Sequence, residues 1–445
     1  YTGGYKKGTE TKKEGDKSHL FSKFVKNFKG KGNSENNLEL SVQNTSHDKY
    51  MKLYKIKSNL VDYEEDTLEN SLNYTHENEN LFLGFQASAF ETLKENYNDK
   101  YEYILPDMVV SRNLFSDNKY GNLDFQSNLK IHNYDTNKFE KFFINDLDWK
   151  FRNFSLPSGV QGSFLGKLKN VNYETKNVSN YKNDLTNELF GAIGYLSEIN
   201  LLKNTENNSS HALTPKMLLR YAPGHMRKEN SNSRLNHLNV FTLDRMNTYD
   251  NFENGASATI GFEYEIKNVG SEFDFTLAQI LNDKENKNMP SSSSLDEKLS
   301  DLVGRTKYTF LNDKTDITYD FAIDQNYKDL NYSSIGSEFN FNPIKFNISY
   351  LQEKKHIGDQ EYFTTNLEYA SGKNSLFAFE TKRNLVTNSS EFYNLSYEYL
   401  NDCLRAGIVY RREFYNDSEL EPENSLMFKV TLTPFGDIQS PSFDR

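Results

Sequence analysis

The sequence predicts an all-β chain that folds as one large antiparallel transmembrane β-barrel. First, segments of about ten residues alternate between apolar and polar side chains along much of the chain. Second, aromatic residues make up 14% of the chain although the hydrophobic fraction is only 36%, below the roughly 45–50% of ordinary globular proteins. Third, the polar positions carry acids and amides, so one face of the sheet must be wet. A closed barrel with lipid outside and water inside satisfies both faces and leaves no free edge.

Composition and charge exclude several other classes. No run approaches the ~18–20 apolar residues of a transmembrane helix. The net charge of −11, without a dominant basic stripe, argues against nucleic acid as a partner. The one basic stretch, Lys6–Gly32, is interpreted as a solvated loop. The chain starts at Tyr1 without the features of a signal peptide, and we interpret it as part of a longer precursor.

The first half of the chain contains a series of strand-like segments. Leu38–Asn44 and Tyr50–Ile56 form the first predicted pair, and Ser71–His76 with Leu81–Phe90 the second. Pro106 has no amide hydrogen to donate, so Glu102–Val110 is expected at an edge, a bulge or a barrel rim. Further strands are predicted at Asn122–His132, Phe139–Phe151 and Ser163–Tyr173, whereas Asn187–Leu201 is compatible with a strand or a short helix.

Regular alternation is weaker over Lys203–Asn254 and returns at Ala256. Met289–Ser294 is predicted to be a loop rich in proline and serine. The predicted strands of this half are Ala256–Ile266, Glu272–Ile280, Arg305–Phe310, Asp316–Asp324, Ser333–Phe341, Lys345–Leu351, Phe363–Tyr369, Ser375–Thr381, Phe392–Tyr399 and Cys403–Tyr410. In all, about 22 candidate strands fit a barrel of roughly ten-residue membrane strands.

The segment that starts at Asp316 shows how the two faces are assigned. Ile317, Tyr319, Phe321 and Ile323 share one side, and a set of acids shares the other. These acids, expected to face the lumen, are Asp316, Asp320 and Asp324. A wet strand face explains them better than an ion site does.

The last predicted strand, Ser425–Leu432, alternates cleanly and is stopped by Pro434 and Gly436. Its apolar side is Leu426, Phe428, Val430 and Leu432, and the other side is Met427, Lys429, Thr431 and Thr433. We therefore predict one barrel domain over residues 1–436 and a C-terminal tail over 437–445. A set of soluble sandwiches is the alternative, but these change domain about every ~100 residues, and no such boundary is visible.

Motifs for catalysis are absent from the sequence. The 8 histidines are scattered, without HExxH, and neither a glycine-rich phosphate loop nor a GxSxG elbow occurs. We therefore predict that the chain is not an enzyme and has no cofactor and no metal ion. The single cysteine, Cys403, is either a small buried apolar residue or one half of a disulfide whose partner lies elsewhere.

Several segments resemble the LptD family of outer-membrane lipopolysaccharide assembly proteins. They are NDCLRAGIVYRREF and PENSLMFKVTLTPFG near the C-terminus, LTPKMLLRYAPG (Leu213–Gly224), VFTLDRMNTYDNFENGASATIGFEYE (Val240–Glu265) and DKYEYILPDM (Asp99–Met108). Their order and spacing cover residues from about 40 to 436. The resemblance implies a barrel of about two dozen strands in the outer membrane, preceded by a periplasmic jellyroll that has no counterpart here.

The resemblance also implies a mechanism and partners. Lipopolysaccharide would arrive from periplasmic Lpt bridge proteins and leave into the membrane lipids between the first and last strands, with an LptE-like lipoprotein as the plug. One side of this lateral gate would be Leu426, Met427, Phe428, Lys429, Val430, Thr431 and Leu432. In the family, cysteines near the position of Cys403 form disulfides with the N-terminal region, although some members have two adjacent cysteines where this chain has one.

Two other functions stay open at this point. A porin or other passive barrel channel would show the same alternation, and a secreted structural β-protein would need no membrane. The acids also pose a question, because a lumen rich in Asp and Glu repels the phosphates of lipopolysaccharide. Three explanations are open: the acids cluster in outer loops, divalent cations bridge them to the phosphates, or the glycolipid is less anionic than usual.

Overall fold

The structure is a computed structural model with almost exclusively antiparallel β-sheet. It describes residues 2–6, 15–54, 56, 58, 60–63, 65–94, 99–135, 137–205, 208–230, 234–312, 314–355, 359–401, 404–413, 424–432, 436–439 and 443–444. The chain divides into two compact units: Tyr1–Arg152 with Gly166–Gly191, and Asn153–Leu165 with Ala192–Arg445. None of the helices in the described residues is long and apolar enough to cross a membrane.

The first unit is a meander of long strands, each antiparallel to the next along the chain. Its elements are β1 (Thr2–Lys6), β2 (Gly15–Lys29), β3 (Glu35–Thr45), α1 (Tyr50–Tyr54), β4 (Thr67–Asn78), β5 (Leu81–Thr92), β6 (Tyr101–Asp117), β7 (Gly121–Tyr134) and β8 (Lys138–Lys150). A 3-10 turn at Lys31–Asn33 joins β2 to β3. The unit boundary then cuts through β10 (Gln161–Lys176) and β11 (Thr186–Glu198), with the two-residue β9 (Phe154–Ser155) before them.

The second unit continues the same pattern of neighbouring antiparallel strands. Its strands are β12 (Leu201–Asn204), β13 (Ser210–Ala222), β14 (Gly255–Asn268), β15 (Ser271–Asn282), β16 (Leu302–Phe310), β17 (Thr315–Ile323), β18 (Leu330–Phe341), β19 (Ile344–Glu353), β20 (Gln360–Ser371), β21 (Ser375–Asn384), β22 (Ser389–Leu400), β23 (Leu404–Glu413), β24 (Asn424–Leu432), β25 (Gly436–Gln439) and β26 (Phe443–Asp444). Most have nine or more residues, the length of a membrane strand.

Two predicted elements of the first unit are wrong. Tyr50–Ile56 was expected to be a strand, but Tyr50–Tyr54 is helix α1, which places Met51 in a small apolar cluster with Val61, Leu68 and Leu93. Tertiary packing overrides the β-propensity of the tyrosines. The basic stretch expected as a loop contains the 15-residue strand β2, which pairs with β3 from His19 to Lys29 and places Leu20, Phe24 and Phe28 on one face.

Pro106 lies at an irregularity, as its missing amide hydrogen predicts. The pairing of β5 with β6 shifts between Gln86 and Ser88, and the pairing of β6 with β7 shifts between Ile104 and Asp107. The segment Asn187–Leu201, left open between strand and helix, is strand over most of its length in β11. The loop at Met289–Ser294 contains a short 3-10 turn at Ser291–Ser293.

Candidate functional site

The register of β20 to β24 places apolar side chains side by side in a row across five strands. Consecutive members are directly paired, and most are exposed: Leu367 at 38%, Leu395 at 53% and Tyr410 at 41%. The complete row is Leu367, Phe379, Leu395, Tyr410 and Leu426. A continuous exposed apolar surface of this kind marks contact with another apolar phase or partner.

A second row, one position away from the first in the same direction on every strand, is polar throughout. Its members are Asn366, Glu380, Asn394, Arg411 and Ser425, again paired strand to strand. Because successive side chains of a strand point to opposite faces, the two rows lie on opposite sides of the same sheet. We call these the apolar face and the polar face of the second unit.

The three acids expected to face a lumen divide into two groups. Asp316 and Asp320 lie on the polar face of β17, where Asp316 is directly paired with Glu338. Asp324 follows the strand instead, and its Oδ2 accepts a hydrogen bond of 3.1 Å from the amide of Asn326. It therefore caps a turn. Their orientation toward a lumen stays a prediction.

Asp320 lies close to an imidazole and to a guanidinium. His237 Nδ1 lies 3.3 Å and Arg305 Nε 3.9 Å from its Oδ1. Burial lowers the pKa of His237, since desolvation opposes the charged imidazolium although Asp320 favours it. Another acidic group, Glu265, Glu272 and Asp274, has carboxylate oxygens close together, but Lys267 forms ion pairs with both glutamates. These pairs already supply counter-charge to the acids.

Two long connections fold back over one end of the polar face. The β13–β14 connection (residues 223–254) and the β15–β16 connection (residues 283–301) bury their apolar side chains against residues of β15, β16 and β17. The cluster consists of Met226, Leu235, Val240, Met246, Ala278, Ile280, Met289, Leu295, Val303 and Ala322. The weak alternation of Lys203–Asn254 hid this packing, because neither a period of 2 nor one of 3.6 describes an irregular loop.

A buried charge network anchors the first of these connections. Arg245 Nε donates to Glu253 Oε2 at 2.8 Å, and its Nη2 donates to Glu253 Oε1. Arg220 of β13 donates from Nε to the carbonyl of Leu243 at 2.7 Å and from Nη2 to the carbonyl of Glu253. All three side chains are 4% exposed or less. Sequence reasoning missed them, although an arginine inside the apolar run LLRYA was a signal for a buried ionic partner.

Further contacts connect these loops with the strands beyond. Arg234 Nη1 lies 2.7 Å from Glu353 Oε2, and its guanidinium lies 3.1 Å above the ring of Tyr332. Asp301 accepts a hydrogen bond of 2.9 Å from Asn331 and lies 3.9 Å from Lys355 Nζ. The loops are therefore tied to β18, β19 and the segment that follows β19.

The strand expected at Ser425–Leu432 is β24, and it pairs with β23 along its whole length. Its other edge is also covered, because β25 pairs with Lys429–Leu432 and β26 with Ser425 and Leu426. Residues 437–445, expected as a tail, therefore contribute short strands. Leu426 and Phe428 are exposed on the apolar face at 36% and 42%, while Cys403 lies outside the described residues. The gate role of Leu426, Met427, Phe428, Lys429, Val430, Thr431 and Leu432 stays a prediction.

Comparison with known proteins gives one assignment. Residues 23–401 match the family described as LPS transport system D (LptD). Among solved structures, the chain is similar to the siderophore receptor PirA from Acinetobacter baumannii, with 8% identity, 83% of this chain and 72% of that chain covered, and a TM-score of 0.43. It is also similar to the copper transporter OprC, with 9% identity, 82% and 69% coverage, and a TM-score of 0.30. No curated protein sequence matches it significantly.

An antiparallel sheet with one exposed apolar face and one polar face defines the class of outer-membrane β-barrel proteins. Within that class, the family match covers most of the chain. The chain belongs to the LPS transport system D family, and its role is in lipopolysaccharide transport at the outer membrane. This is a family of transport and assembly proteins, and the two solved structures, at these TM-scores, add nothing to the assignment.

Proposed function

We propose that this chain inserts lipopolysaccharide into the outer leaflet through a lateral opening beside β24. The sugars travel along the polar face while the acyl chains enter the bilayer from the side. The observation that carries the proposal is the pair of adjacent rows, one apolar from Leu367 to Leu426 and one polar from Asn366 to Ser425. An amphiphile needs both environments, and here they lie on the two opposite faces of one sheet.

A lateral opening requires a seam that is weaker than the rest of the sheet. Backbone groups left unpaired in lipid cost several kcal/mol each, so opening favours the edge with the least pairing. Among the described residues, the outer edge of β24 is paired by the short β25 and β26 alone, whereas its inner edge pairs with β23 from Asn424 to Leu432. This difference supports an opening on the outer edge.

The partners follow from the family. Lipopolysaccharide and the proteins of the Lpt pathway are its general partners. We propose in addition an LptE-like plug lipoprotein and delivery by periplasmic bridge proteins. A disulfide of Cys403 with an N-terminal region stays a prediction, which electrophoresis with and without reductant would test.

A reversible crosslink tests the seam. Thr431 and Asp437 are directly paired between β24 and β25, so Thr431→Cys with Asp437→Cys, in a Cys403→Ser background, should form a disulfide across the outer edge. We expect delivery of newly made lipopolysaccharide to the cell surface to stop, and to resume when reductant is added.

The matched control locks an inner ladder that need not open. Ser396 and Val409 are directly paired between β22 and β23, and Ser396→Cys with Val409→Cys should leave delivery unchanged. Normal delivery with the 431–437 disulfide fully formed would refute an opening at this edge. Solute conductance without any delivery of lipopolysaccharide would instead favour the passive channel.

A further inference from the structure

A cavity of about 520 Å³ lies in the first unit, and its lining residues are other than those of the loops and the β24 edge described above. It is lined by side chains of β2 to β5 and by the connection between α1 and β4. The lining residues are Lys23, Glu39, Ser41, Gln43, Leu60, Glu65, Asp66, Thr67, Glu69, Ser71 and Phe90. Its volume falls within the roughly 300–1,000 Å³ of small-molecule sites.

The cavity exists because β3 and β4 separate. Their ladder runs from Glu35 with Glu77 to Ser41 with Ser71 and then stops, although both strands continue. Beyond it, side chains replace the missing ladder. Asn70 Oδ1 accepts from the amide of Gln43 at 2.9 Å, and Gln43 Oε1 accepts from the amide of Glu69 at 2.8 Å. Asn70 Nδ2 also donates to the carbonyl of Gln43 at 3.1 Å. Side-chain amides thus satisfy backbone groups of Gln43 and Glu69 where the ladder ends, so the cavity is a built feature of the sheet.

The cavity wall contains an aromatic ring beside a carboxylate. Phe90 of β5 is directly paired with Glu69 of β4, which places both side chains on the same face. Beside them are the hydroxyls of Ser41, Thr67 and Ser71. Carboxylates and hydroxyls accept hydrogen bonds from ligand hydroxyl groups, and an aromatic face packs against C–H groups.

Charge decides which polar ligand fits. Glu39 has Lys23 as a partner at 2.7 Å, and Asp66 has Lys52 at 2.7 Å. In the part of the chain that the structure describes, the carboxylates of Glu65 and Glu69 are in no ion pair. The net charge of the described lining residues is therefore negative. This charge repels phosphate, and the carboxylates can accept hydrogen bonds from hydroxyl groups.

We propose that this fork cavity binds a neutral, phosphate-free saccharide, with Phe90 as the stacking surface and Glu69 as the principal acceptor. The inference rests on the proposed function, because such sugars form part of the transported lipopolysaccharide. The site selects the uncharged sugars and leaves the phosphorylated part of the molecule outside. The negative charge of this cavity then selects against phosphorylated sugars.

Titration of the full chain in detergent tests this inference. The probe is the deacylated and dephosphorylated oligosaccharide of the host lipopolysaccharide, and heat release reports binding. We expect saturable binding that intact lipopolysaccharide displaces, and weaker binding of the same oligosaccharide with its phosphates retained. Glu69→Gln and Phe90→Ala should each weaken binding about tenfold, or ~1.4 kcal/mol.

Matched controls separate recognition from folding. Glu77→Gln changes an acid on the same face of β4 but outside the cavity, and Phe85→Ala removes an aromatic ring from the opposite face of β5. Both should bind normally, and all four variants should show the heat-modifiable gel migration of the parent. Equal losses in the controls, tighter binding of the phosphorylated probe, or no saturable binding would overturn the inference. Delivery of lipopolysaccharide by a chain that fails to bind the oligosaccharide would overturn the inference alone and leave the transport function in place.

Discussion

Met427 and Phe428 are neighbours in β24 that lie on opposite faces of the sheet. Phe428 is directly paired with Ile408, and both are exposed on the apolar face, at 42% and 41%. We expect Phe428→Lys to impair membrane insertion, because a lysine on the lipid side of a barrel near the midplane costs roughly 2–4 kcal/mol. The measurement is the folded fraction after insertion into lipid vesicles, read by gel migration with and without heating.

The control for this residue is Met427→Lys, which adds the same charge to the polar face one position away. It should insert as the parent chain does, because that face contacts water. The same comparison can be made in β22 with Leu395→Lys and Ser396→Lys, because these two residues lie on opposite faces. If both lysines of a pair were equally harmful, the assignment of the two faces would be wrong.

At the scale of the element, the connection over residues 223–254 depends on one acid. Glu253 faces Arg245 directly, and its Oε1 lies 4.0 Å from Arg220 Nη1. Glu253→Gln removes the carboxylate that contacts two arginines of 1% and 3% exposure, and breaking a buried ion pair typically costs about 3–5 kcal/mol. We expect the connection to unfold locally and to become sensitive to proteases in the folded protein.

An exposed acid of similar type is the comparison for Glu253. Glu263 has an ion pair of 2.7 Å with Lys216, but its side chain is 48% exposed. Glu263→Gln should cost at most about 1 kcal/mol and leave the protease pattern unchanged, because water screens the pair. Adding Arg245→Met to Glu253→Gln should restore part of the protection. A double variant as sensitive as Glu253→Gln alone would show that the buried charge is not the cause.

The second connection should respond to pH. Burial raises the pKa of Asp301 above its ordinary value of 3.8, although a hydrogen bond from Asn331 and the charge of Lys355 oppose the shift. A raised pKa means that the folded protein binds this proton more tightly than the unfolded chain does. The corresponding stability is complete below pH 3.8 and is lost as the pH rises through the folded pKa.

We therefore expect amides of residues 283–301 to be better protected from hydrogen exchange at mildly acidic pH than at neutral pH, after correction for intrinsic rates. Asp301→Asn should flatten this dependence. The pKa of Asp324 shifts in the opposite direction to that of Asp301. Burial opposes the charge of Asp324, but hydrogen bonds from Asn326 outweigh burial and lower the pKa. Asp324→Asn should weaken the acid-induced protection of residues 283–301 only in part, because burial is the main cause of the raised pKa of Asp301 and the charge of Asp324 is a smaller one. Protection that is unchanged by Asp301→Asn would contradict the role of this carboxyl.

At the scale of the whole molecule, the apolar face requires lipid or detergent. Its exposed members include Leu219, Ile260, Leu281, Ile335, Leu395 and Phe428, more than a soluble monomer exposes in one surface. We expect the purified chain to stay folded only in detergent or lipid and to migrate differently on gels before and after heating. Refolding to a soluble monomer in plain buffer would contradict the membrane assignment.

Most strands and the faces of their side chains could be predicted from the amino-acid sequence. Alternation has a period of two residues, so it is written directly in segments such as Ile317–Ile323 and Leu426–Leu432, and it predicted both the all-β class and the two environments. The position of Pro106 predicted an irregularity because its chemistry is local. The segments shared with the family extended this to outer-membrane transport. These features depend on neighbouring residues only.

The buried charge network, the helix α1 and the fork between β3 and β4 could not be predicted, because they depend on contacts between residues far apart in the chain. Arg220 and Glu253 form a network only when the β13–β14 connection folds back on the polar face. Tyr50–Tyr54 becomes helix because its packing against Val61 and Leu68 outweighs its β-propensity. The fork between β3 and β4 depends on Gln43 and Asn70, whose amides replace a ladder that alternation alone would have continued. The alternation pattern of a single strand does not show where its pairing with a neighbouring strand ends.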